Sequence, residues 1–137
     1  MAQFSLLVDL ALYLRLLIPT GTNLAELQML QGLVAHADVL LLPNTRTYFD
    51  LIALEAMALC IPILASCTGG NKKLSSLSSG VILVDSTDDG LSAVLKNFSS
   101  MDGGRRIEIG GNNSDAFIKY FTAPKFAEDY VNIIVNN

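Results

Sequence analysis

Residues 37–70 read ADVLLLPNTRTYFDLIALEAMALCIPILASCTGG, and this stretch decides the fold. Val39-Leu40-Leu41-Leu42 is an unbroken apolar run stopped by Pro43. It lacks the polar alternation of a half-exposed strand, so it reads as a strand covered on both faces, as in parallel sheets. A polar loop from Pro43 to Asp50 comes next, and Leu51 to Leu59 then predicts a helix with Asp50 at its N-cap. Ile61 to Ala65 is a second buried strand, and Thr68-Gly69-Gly70 predicts a tight turn.

The same alternation extends outward from this segment. Downstream, Val81 to Val84 reads as a strand and Thr87 to Phe98 as a helix. Ser99 to Asn113 holds four of the ten glycines and reads as a mobile loop, with Ser114 to Val135 giving one or two closing helices. Upstream, residues 3–15 look helical, and 16–18 form a short strand ending at the Pro19-Thr20-Gly21-Thr22 turn. Asn23 can cap a helix from Leu24 to Ala35, in which Leu24, Leu27, Leu30 and Val34 recur at helical spacing. Strands and helices alternating at short spacing predict an α/β protein, one domain over residues 1–137, built on a doubly wound parallel sheet with helices on both faces. Ligands of such sheets sit outside the carboxyl ends of the strands, where the loops after Leu42 and Ser66 open.

Composition agrees with this layering and narrows the function. Hydrophobic residues make up 51% of the 137 and charged ones 16%, an apolar balance that suits strands buried on both faces. Net charge is −4 and the nine Lys and Arg are scattered, which argues against nucleic acid as a partner. Cys60, Cys67 and the single His36 cannot assemble a zinc site or a disulfide framework, and both thiols read as reduced core residues. The apolar run Phe4 to Leu17 is interrupted by Asp9 and Arg15 and is too short to span a bilayer. It reads as core, or as a surface that meets another domain.

Chemistry concentrates at the loop before the Leu51 helix. A helix amino end presents unpaired N–H groups and a positive dipole end, a natural seat for phosphate. Glu55 lies one turn further on, where a carboxylate can accept two hydrogen bonds from a vicinal diol such as a ribose. Physical reasoning alone favours Glu55 as an exposed helix residue and Asp50 as a cap. Arg46, with its fork of donors on this loop, suits a phosphate or a sugar. Lys72 and Lys73 follow the Gly-Gly turn on the same edge and read first as a solvated pair. Asn71 reads as a turn residue or a sugar contact. His36 ends a helix, where a cation favours the dipole.

These motifs together carry a resemblance. Ala37-Asp38 opening a strand that ends in Pro43-Asn44, the Tyr48-Phe49-Asp50 loop, Glu55-Ala56-Met57-Ala58, Cys60-Ile61-Pro62-Ile63 before the next strand, and Gly69-Gly70 resemble the signature of the retaining family-four glycosyltransferases. Gly80-Val81-Ile82-Leu83-Val84 continues the likeness more loosely. The resemblance implies a Rossmann-like half of a GT-B fold. It also implies a parent enzyme that transfers a hexosyl group from a nucleoside diphosphate sugar to a hydroxyl acceptor with retention.

By match, the resemblance implies that Glu55 holds ribose hydroxyls and that the N–H groups of Leu51 and Ile52 hold the diphosphate. The turn around Pro19 is expected near the nucleobase. Asn44, Thr47, Arg46, Asp50, Gly69 and Gly70 complete the expected donor site, with no catalytic residue, no metal and no cofactor beside the nucleotide sugar itself. The sequence also departs from the family: Thr47 stands where a Glu contacts the donor sugar, Asp50 where a Gly follows the loop Phe, and Cys60 where a Gly precedes the strand.

The cationic strand and the acceptor-binding domain expected upstream have no counterpart ahead of Phe4, so the chain reads as a fragment, inactive by itself. Its expected partners are the nucleotide sugar and the missing acceptor domain or a partner subunit, with a homo-oligomer and peripheral membrane association of the parent enzyme as further arrangements. The family's common setting is cytoplasmic assembly of polysaccharide. The alternative reading is a non-catalytic glycosyltransferase-like module that pairs with an active subunit.

Overall fold

A computed structural model describes residue 29 and residues 32–46, 50–85 and 87–136. Residues 32–35 are helical, the end of the helix expected over Leu24 to Ala35. The elements expected over 3–15 and 16–18, and the Pro19 turn, lie outside the described residues. From residue 40 onward the chain forms β1 (Leu40–Leu42), α1 (Leu51–Ala58), β2 (Ile63–Ser66), α2 (Gly69–Leu77), β3 (Val81–Val84), α3 (Asp88–Ser99), α4 (Gly103–Tyr120) and α5 (Ala123–Val135).

The three strands form a parallel sheet in the order β1-β2-β3, with Leu40 opposite Ile63 and Ile63 opposite Val81. Consecutive strand residues point to opposite faces, and here both faces are covered. Leu40, Leu42, Ile63, Ala65 and Val81 pack against Ile52, Ala53, Ala56 and Met57 of α1, Leu74 of α2 and Ala116 of α4. On the other face, Val39, Leu41, Leu64 and Val84 meet Phe98, Leu91, Val94 and Leu95 of α3. The unbroken apolar runs therefore find apolar partners on both sides, each fully buried Leu, Ile or Met contributing about 1.5–3 kcal/mol. This is the expected α/β, Rossmann-like architecture with helices on both faces.

Two expectations fail away from the candidate site. Ser99 to Asn113 is not a mobile loop: α4 occupies most of it. Asp102 starts the helix, its carboxylate accepting from the N–H groups of Gly104 at 2.8 Å and Arg105 at 3.4 Å. Of the residues that suggest a loop, Gly110 and Asn113 let the helix sit close. A Cβ on Gly80 would lie 2.4 Å from both the Asn113 side chain and the Ile109 carbonyl oxygen. Asn113 is fully buried, donating to the carbonyls of Ile61 at 2.8 Å and Gly80 at 3.0 Å and accepting from Ser78 Oγ at 2.6 Å. Its side chain thus satisfies the ends of two strand-entry loops from inside a helix, as buried polar groups require.

The cysteines are the second correction. Both are free and exposed rather than core residues. Cys60 occupies the turn from α1 into β2 with a left-handed φ of 60°. Cys67 stands one residue past the end of β2. Among the described residues, no helix is long and apolar enough to cross a membrane.

Candidate functional site

The loops leaving β1 and β2 meet at the carboxyl edge of the sheet, and the sequence places a small polar residue at each contact. Asn44 is the hinge of the group. Its main-chain oxygen accepts a short hydrogen bond from Ser66 Oγ, at the last position of β2, and a longer one of 3.5 Å from Thr68 Oγ1. Its side-chain Nδ2 donates to Asp50 Oδ2 at 2.8 Å. Ser66 and Thr68 hydroxyls lie 3.2 Å apart. Asn71, in the first turn of α2, donates to the Ser66 carbonyl at 3.1 Å and to Ser66 Oγ at 3.4 Å. A single hydrogen-bonded chain thus runs from α2 through the end of β2 and the β1 loop to the start of α1.

Two helix amino ends face this edge, and their capping residues behave alike. Asp50 and Thr68 hold the extended N-cap conformation, with φ, ψ of −92°, 119° and −130°, 152°. Neither side chain caps its own helix. Each is turned instead toward the network, Asp50 to Asn44 and Thr68 to Ser66 and Asn44. A carboxylate and a hydroxyl in ideal capping position that bond elsewhere leave the positive ends of two helices directed at the same edge.

The expected site residues distribute unevenly around it. Asn44 and Asp50 are in the network. Leu51 opens α1 and is exposed, while Ile52 is buried in the core beneath it. Glu55 is half-buried, beside the core-facing stripe of Ile52, Ala53, Ala56 and Met57. Arg46 is exposed on the loop after β1. Gly69 and Gly70 do turn the chain, with φ of 37° at Gly69, but they are the first residues of α2 rather than a separate tight turn. Thr47 and Pro19 lie outside the described residues.

Lys72 and Lys73 are exposed on α2. His36 closes the preceding helix, its Nδ1 2.7 Å from the Gly32 carbonyl oxygen. The residues that sequence reasoning undervalued are Ser66, Thr68 and Asn71. The signal for Ser66 was a hydroxyl at the end of an otherwise apolar strand. Asn71 is buried, so its amide belongs to the framework and not to a ligand surface.

No protein-family model matches this sequence, and no curated protein does. Among solved structures, the fold is similar to a sucrose-phosphate synthase from Thermosynechococcus elongatus, with a TM-score of 0.66 and 22% identity over 86% of this chain. The match spans 30% of that protein's length. At this identity the likeness is one of architecture: the chain has the Rossmann-like α/β fold of one half of a GT-B glycosyltransferase.

Proposed function

We propose that this chain is the donor-binding domain of a glycosyltransferase, seating a nucleoside diphosphate sugar at the carboxyl edge of β1 and β2. The observation that carries the reading is the pair of helix amino ends, α1 and α2, whose N-cap side chains are both turned away from their own helices. Two such ends side by side suit a diphosphate, which takes several N–H donors at once. In this reading the first N–H groups of α1, at Leu51 and Ile52, hold the diphosphate and the Glu55 carboxylate takes the ribose hydroxyls. Arg46 and the lysines of α2 add positive charge. The parent enzyme would transfer a hexosyl group with retention, in the manner of the family-four enzymes, stabilising the departing diphosphate electrostatically.

Calorimetric titration with UDP, UDP-glucose and UDP-N-acetylglucosamine tests it. Binding of at least one of them is expected, weakened tenfold or more by Glu55→Ala. No heat of binding up to millimolar concentrations for any of the three sinks the reading for this chain.

One observation favours a second reading, a non-catalytic glycosyltransferase-like module that supports an active subunit. Asp50 places a carboxylate at the mouth of α1, where it accepts from the neutral amide of Asn44. A charge so placed opposes a diphosphate by roughly 1 kcal/mol or more at partly screened distance. The same titration separates the two readings, since a module of this kind binds none of the nucleotides.

A further inference from the structure

Asp50 is set to cap α1 and does not. Its backbone holds the N-cap conformation, at φ −92° and ψ 119°, and aspartate is among the residues best suited to that position. A capping side chain takes the N–H of the second or third helical residue. Here the third, Ala53, already donates to the Asp50 main-chain oxygen at 3.0 Å, which leaves the N–H of Ile52 as the one a cap would take. No cap bond is made. Asp50 Oδ2 accepts from Asn44 Nδ2 at 2.8 Å instead.

Asn44 can hold the carboxylate because Asn44 is itself held. Its main-chain oxygen accepts from Ser66 Oγ and, at 3.5 Å, from Thr68 Oγ1. Ser66 is fully buried at the end of β2, and the buried Asn71 amide donates to its hydroxyl at 3.4 Å. The loop carrying Asn44 is thereby tied to the sheet, and the Asn44 amide meets the carboxylate from a fixed post. Thr68, the N-cap residue of α2, is drawn to the same Asn44 and likewise makes no cap bond. One residue therefore bonds both cap side chains, Asp50 through its amide and Thr68 through its main chain.

The carboxylate has two positions with opposite consequences. Turned to Asn44, it leaves the Ile52 N–H to an incoming anion. Turned to its own helix, it would occupy that N–H and set a negative charge where the anion must lie.

We infer that Asn44 is a positioning residue of the donor site, holding the Asp50 carboxylate away from the amino end of α1 so that the Ile52 N–H stays open to a diphosphate. The ligand named here rests on the donor-site reading, whereas the position of the carboxylate can be followed without any nucleotide.

Amide hydrogen exchange of the full chain, followed by NMR without nucleotide, is the first measurement. In Asn44→Ala the carboxylate is expected to cap α1, slowing exchange at Ile52 by about fivefold, the worth of one N-cap bond. Asn44→Leu, closer in size and equally without a donor, should do the same. In Asn44→Ala/Asp50→Ala the slowing should vanish. A loop merely loosened by the substitution would speed exchange instead.

The second measurement is calorimetric titration with UDP. Asn44→Ala should weaken binding tenfold or more, while in the Asp50→Ala background the same substitution should change it by less than about twofold. Ile52 exchange that is unchanged or faster in both Asn44 variants overturns the inference even where the wild-type chain binds UDP. An equal loss of UDP with and without Asp50 overturns it as well, since Asn44 would then act on the loop alone. A chain that shows the slowing but binds no UDP fails the donor-site reading and confines Asn44 to helix capping, which overturns its positioning role.

Discussion

A Cβ placed on Gly110 would lie 1.9 Å from the carbonyl oxygen of Cys60, so α4 rests with its backbone directly on the turn between α1 and β2. That contact fixes how the long helix lies against the sheet. It also explains why a glycine sits mid-helix, where alanine is ordinarily favoured by about 1 kcal/mol.

Gly110→Ala is therefore expected to destabilise the chain by about 3 kcal/mol, because the obstacle is backbone and cannot swing aside. Gly111→Ala, one residue on, meets nothing within 4 Å and should instead gain up to about 1 kcal/mol from helix propensity. Urea denaturation of the pair checks this. Equal shifts in the same direction would show that α4 does not sit on Cys60.

Cys60 holds a backbone conformation that L-residues adopt at a cost of about 1 kcal/mol. Cys60→Gly should raise stability by up to about 0.5 kcal/mol, the strain relief offsetting the added freedom of the unfolded chain. Cys60→Val, β-branched and left-handed, should lower it. Thermal melts of the two variants under reducing conditions give the comparison.

Asn113 joins α4 to the entries of β2 and β3 through three hydrogen bonds made entirely inside the protein. Asn113→Ala leaves the Ile61 and Gly80 carbonyls and the Ser78 hydroxyl without this partner, at an expected cost of about 3 kcal/mol. Asn113→Asp should cost at least as much, since its carboxylate would face two carbonyl oxygens and replaces the donor they need. Denaturant midpoints at neutral pH measure both.

At the candidate site, Asp50→Asn keeps an acceptor for Asn44 and removes the negative charge from the mouth of α1. If a diphosphate binds there, removing roughly 1 kcal/mol of repulsion should tighten UDP about fivefold. The readout is calorimetric affinity, with Glu55→Ala measured in parallel. A variant that binds UDP no better than wild type, where wild type binds, would place the diphosphate away from Asp50.

Much of the layered fold was legible in residues 39–42, 61–65 and 81–84, because four consecutive apolar residues have only one comfortable home in a sheet, between two covered faces. The helix starting at Leu51 was legible for the matching reason, a residue of capping type ahead of an apolar run. The polar loop from Pro43 to Asp50, ending at an N-cap position, also marked the edge of the sheet that carries the candidate site. Helix α4 was not legible, since a local reading takes Gly103, Gly104, Gly110, Gly111 and two asparagines as breakers. Their use appears only when residues about 50 positions away are brought alongside: Gly110 against the Cys60 carbonyl, Asn113 against that of Ile61. The same holds for Asp50, which local propensity assigns to its own helix and which the tertiary arrangement gives to Asn44. Periodicity and caps act over one turn or one strand, so a single chain segment declares them. Close backbone approach and the choice of a hydrogen-bond partner depend on what arrives from elsewhere in the chain, and packing alone settles them.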